Sequence, residues 1–71
     1  MAHIATIEFK DFDNDGKDGS VTVLASDTDD KVALSFFLSD GDELEVLVSS
    51  EVARKLGGAL VSAVKHSAER K

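Results

Sequence analysis

The sequence predicts an α+β fold in two layers. Four strands form an antiparallel meander, and one C-terminal helix packs on one face of the sheet, in the order ββββα. Three observations predict this. Residues 20 to 49 alternate apolar and polar side chains in three runs, each separated by a short polar turn. From residue 50 the apolar period changes from two to that of a helix. A single set of strand registers also brings the alternating apolar residues of those three runs onto one face.

The first strand is His3 to Phe9, rich in isoleucine, threonine and phenylalanine, residues that suit a pleated surface. Its place in the sheet is open, since it can flank either edge. The connection KDFDNDGKDGS, residues 10 to 20, follows. Its Asp11, Asp13, Asp15 and Gly16 spell the opening of an EF-hand calcium loop. These three aspartates are the candidate metal ligands. The motif also needs a bidentate glutamate at its twelfth position, where this chain has Thr22. A strand precedes the loop where the motif has a helix. The expectation is therefore no metal and no cofactor, with a long acidic connection between strands. Asp, Asn and Gly are favoured in such turns for their own backbone reasons.

The second strand is Ser20 to Ser26, with Val21, Val23 and Ala25 in phase. Asp27 to Asp30 is a polar turn. The third strand, Lys31 to Ser39, puts Val32, Leu34, Phe36 and Leu38 in phase. The fourth, Asp42 to Ser49, does the same with Leu44, Val46 and Val48. A two-residue loop at Asp40-Gly41 would set Phe36 against Glu45 on one face. A three-residue loop, Ser39-Asp40-Gly41, with Gly41 left-handed, pairs Phe36 with Leu44, Leu34 with Val46 and Val32 with Val48. A Thr28-Asp29 loop at the preceding hairpin pairs Ala25 with Val32, Val23 with Leu34 and Val21 with Phe36. The two registers agree, so the meander has one apolar inner face.

The helix carries Val52, Leu56, Ala59, Leu60, Ala63 and Val64 as one stripe. Ser49 or Ser50 is its N-cap. Glu51 in the first turn and Lys65, Arg70 and Lys71 toward the end suit the helix dipole. Gly57-Gly58 falls within it, each glycine costing about 1 kcal/mol relative to alanine. The apolar phase is unbroken across the pair. In a meander, a helix returning along the sheet carries Lys65, His66, Arg70 and Lys71 toward the acidic loops, Asp11 to Asp18 and Asp40 to Glu43.

The outer sheet face has polar Thr22, Ser35 and Glu45, but also a row of Leu24, Ala33 and Leu47, with Phe37 two rows away. Ile4 joins them if Ile7 and Phe9 point inward. Val61 lies opposite the helix stripe. An apolar row on a flat sheet face marks an interface. Leu24, Ala33, Phe37, Leu47 and Val61 are therefore the expected contacts of a homo-oligomer, with a symmetric dimer the simplest form.

Seventy-one residues make one domain, 1–71. So short a chain buries only about 60% of its unfolded surface. It has no cysteine, so no disulfide supports it. Oligomerisation is the remaining support. The net charge is −6, from 14 acidic and 8 basic residues, which argues against direct nucleic-acid binding. No apolar run is long enough to span a membrane, and MAHIATIEFK lacks a signal-peptide core, so a cytoplasmic location is expected. Catalysis is not expected. His3 and His66 stand near opposite ends of the chain, and no nucleophile elbow, triad order or phosphate loop is present.

The segment LEVLVSSEVARKLGGALVSAV, residues 44 to 64, places Ser49, Ala53, Leu56, Ala59 and Leu60 in a strand-to-helix unit. It resembles a recurrent unit of small uncharacterised actinobacterial and actinophage proteins. The resemblance implies a small accessory protein and assigns no functional residue. The reading is a small acidic, non-catalytic interaction module that self-associates or meets a protein partner. One alternative is an inhibitor that mimics nucleic acid and occludes a basic site. Another is a weak calcium-binding module built on Asp11 to Asp18.

Overall fold

The computed structural model describes residues 1–69. Four antiparallel strands form one open sheet in the order β1-β2-β3-β4. They span Ala2–Asp11 (β1), Lys17–Ala25 (β2), Lys31–Phe37 (β3) and Glu43–Ser49 (β4), and the helix α1 spans Ser50–Glu69. This is the expected ββββα, α+β arrangement, and β1 takes the edge beside β2.

The registers inferred from alternation are the observed ones. Val21 faces Phe36, Val23 faces Leu34 and Ala25 faces Val32. Phe36 in turn faces Leu44, Leu34 faces Val46 and Val32 faces Val48. β1 extends the same face, with Ala5 opposite Val23, Ile7 opposite Val21 and Phe9 opposite Gly19. Ile4 is left out of the strand pairing. It falls where the register shifts between His3 and Ala5, so it sits in a β-bulge and has no partner across the strand.

The acidic connection is shorter than expected. β1 and β2 stay paired down to Asp11 and Lys17, which leaves five residues in the loop. A 3-10 turn at Phe12–Asn14, then Asp15 at φ 59° and Gly16 at φ 70°, reverses the chain. The Gly16 N–H donates to the Asp11 carbonyl at 2.9 Å and closes the hairpin. The β3–β4 loop is the expected three residues. The Gly41 N–H donates to the Leu38 carbonyl at 3.0 Å, with Gly41 at φ 92°.

The β2–β3 turn keeps its predicted register but opens wider than Thr28-Asp29. The Ser26 hydroxyl accepts from the Thr28 and Asp29 N–H groups at 3.3 and 3.2 Å. That side chain takes the donors that a tighter turn would point elsewhere. The ladder therefore ends with the Ser26 N–H donating to the Lys31 carbonyl at 3.1 Å.

No residue intervenes between β4 and α1. Ser49 closes the strand, and its hydroxyl also caps the helix by accepting from the Val52 N–H at 3.2 Å. The Ser50 N–H donates to the Asp30 carbonyl at 3.1 Å, which ties the helix start to the β2–β3 turn. The helix touches β3 and β4. Through Ala68, Ser50 and Ala53 are its only half-buried residues. The contact is thus confined to the first turn, and α1 then leaves the sheet. Neither Lys65 nor His66 forms an ion pair with the acidic loops. Arg70 and Lys71, the rest of the expected basic tail, lie outside the described residues.

The result is an open shape. Its radius of gyration is 13.9 Å, where a compact domain of this length has about 11 Å. Among the described residues only Ala33, at 3% exposure, is buried.

Candidate functional site

The two sheet faces differ in chemistry. On the outer face, Thr6 and Thr22 hydroxyls share a hydrogen bond at 3.1 Å, and a His3 ring nitrogen meets the Thr6 hydroxyl at 2.8 Å. In the same row the Ser35 hydroxyl donates to a Glu45 carboxylate oxygen at 3.1 Å. Further along, the Lys10 ammonium donates to Asp18 at 2.6 Å. That hydrogen bond, reinforced by the Asp18 charge, raises the Lys10 pKa above its usual value. The row of Thr6, Thr22, Ser35 and Glu45 is thus a polar ladder on this face.

The expected interface residues lie as the registers place them. Leu24, Ala33 and Leu47 share one row, with His3 at its β1 end. Phe37 stands opposite Glu43, two rows away. Leu24 is half-buried, Ala33 is buried, and Leu47, Phe37 and Val61 are exposed. Leu47 thus stands exposed at the β4 end of its row on the outer face, and Val61 stands exposed on the helix.

The inner face is different. Its rows read Ile7, Val21, Phe36, Leu44, then Ala5, Val23, Leu34, Val46, then Ala25, Val32, Val48, with no polar side chain among them. Among the described residues none of this face is buried. Ile7 is 53% exposed and Leu44 57%. The helix stripe is equally bare, since Val52, Leu56, Leu60 and Val64 are all exposed. The pattern marks these residues from the sequence, but as a core rather than as a surface.

The cost of this arrangement is visible in area. The chain exposes 5561 Å², against about 4,300 Å² for a compact 7.6 kDa monomer. The excess is about 1,300 Å² per chain, so two chains burying it would remove about 2,500 Å², within the range of obligate homodimers.

In the acidic loop one aspartate oxygen serves the loop's own backbone. Asp11 accepts from the Asp13 N–H at 3.1 Å. Among the described residues, no group of three His, Asp or Glu side chains is placed to hold a metal ion, Asp11, Asp13 and Asp15 included. Phe12, at the head of the loop, is 87% exposed. Among the described residues no helix is long and apolar enough to cross a membrane. No protein-family model, curated protein or solved structure matches the chain.

Proposed function

We propose that this protein is a small, non-catalytic interaction module that works as a homodimer, using its apolar inner sheet face and its helix stripe. The observation that carries the reading is the double exposure of these two surfaces in one chain. Apolar surface drives association roughly in proportion to its area. A chain with one buried alanine has no internal core to offset the entropy of ordering its backbone. Association supplies that core. The outer face, with its exposed Phe37 and Leu47, then stays open to water or to a further protein partner.

Light scattering of the purified chain tests this. The expected mass is about twice 7.6 kDa, with an unfolding midpoint that rises with protein concentration. A 7.6 kDa species that unfolds cooperatively at all concentrations overturns the proposal.

A further inference from the structure

Resting on the homodimer reading, we infer that the two copies exchange their helices: the stripe of α1 from one protomer lies on the inner sheet face of its partner, and reciprocally. Three observations combine in this.

The first is the junction. Ser49 is at once the last strand residue and the helix cap. Reversing a chain from a strand onto the face of its own sheet takes a connection, usually of about 2–6 residues. This chain has none. The Ser50 bond to the Asp30 carbonyl further fixes the direction in which the helix departs. The stripe therefore does not reach the apolar face of its own sheet.

The second is the helix itself. In proteins most helical stability comes from packing an amphipathic face rather than from propensity, and Gly57 and Gly58 weaken this helix. Beyond the helix's own backbone, nothing among the described residues lies within 4 Å of where a side chain at either glycine would begin. From Arg54 through Ala68 every residue of the helix is exposed. Packing on a partner is what holds the stripe in place.

The third is fit. The stripe from Val52 to Val64 runs about 20 Å at the helical rise. A seven-residue strand is about 24 Å long, and β3 and β4 have seven residues each. Both surfaces are apolar, and each is the surface that the other lacks. A two-fold axis gives each copy the same contact. Exchange also arises readily where a connection is too short to let an element close on its own domain.

The absence of cysteine makes the test direct. Leu34→Cys places a thiol at the centre of the inner face, and Leu60→Cys places one on the stripe. The two single variants are unfolded together, refolded as a mixture and oxidised. Exchange predicts that the Leu34→Cys/Leu60→Cys heterodimer becomes the main covalent product. A dimer by light scattering without this product, or with only Leu60→Cys homodimers, overturns exchange and leaves the homodimer standing. A monomer overturns both. As a second variant, four residues of Gly-Ser type are inserted between Ser49 and Ser50. The expected result is a folded monomer, half the mass of the wild-type dimer, whose helix closes on its own sheet. A dimer that persists after the insertion also overturns exchange.

Discussion

The Phe9 ring lies across Gly19, its partner on β2, so closely that a Cβ at Gly19 would stand 2.7 Å from the ring edge. A carbonyl oxygen of Phe37 would lie 3.1 Å away on another side. The glycine is therefore the seat of the ring, an aromatic side chain filling the place its partner leaves empty. Gly19→Ala displaces Phe9 from the inner face. The expected loss is about 1–2 kcal/mol, the usual scale of overpacking, read from the midpoint of urea unfolding. An unchanged midpoint would show that the ring carries no packing energy.

Val46 and Leu47 are neighbours on β4 that point to opposite faces. Val46→Asp puts a carboxylate on the apolar face and is expected to weaken the dimer at least about 100-fold, because two unpaired charges per dimer would be buried. Leu47→Asp, on the polar face, is expected to leave the mass unchanged. Sedimentation equilibrium of both variants, with circular dichroism to confirm folding, separates the faces. The reverse outcome moves the interface to the row of Leu24, Ala33 and Leu47.

Gly58 follows Arg54 by four residues and precedes Lys65 by seven, on the charged side of α1. Nothing faces it. Gly58→Ala is expected to stabilise the protein by about 1 kcal/mol through helix propensity alone, without altering the dimer mass. Thermal unfolding monitored at 222 nm reads the gain. A loss of stability would place a second surface against this side of the helix.

Each copy carries −6, so two copies repel. An apolar interface under such repulsion tightens as salt screens it. Raising the salt from about 10 mM to about 100 mM shortens the Debye length from about 30 to about 10 Å. The dimer dissociation constant is expected to fall over that interval. A constant that rises instead would identify ion pairs as the main attraction.

Much of the sheet was legible because period-two alternation leaves few consistent registers. Phe36 can meet Leu44 or Glu45, and only the first keeps Leu34 and Val32 in company. Gly41 was legible for the same kind of reason, because a left-handed position suits it. Other features had no such signal. The bulge at Ile4 follows from no turn residue, and the Ser26 hydroxyl reset the β2–β3 turn through two local hydrogen bonds. The candidate surface was hidden for a deeper reason. Periodicity tells which side of the helix is apolar. It does not tell which chain that side meets. That depended on the length of the connection at Ser49, where a strand and a cap share one residue.

The Thr6–Thr22 and Ser35–Glu45 bonds have a consequence for how assembly ends. A sheet apolar on both faces would stack without limit. In the proposed dimer the inner faces meet, and the Thr6, Thr22, Ser35 and Glu45 row sets hydroxyls and a carboxylate on the far side. The edge strand β1, bent by its bulge, and the edge strand β4, bearing Glu43 and Glu45, discourage lateral growth. In the proposed dimer, the same sequence that leaves a lone chain incomplete thus also works against growth beyond two copies.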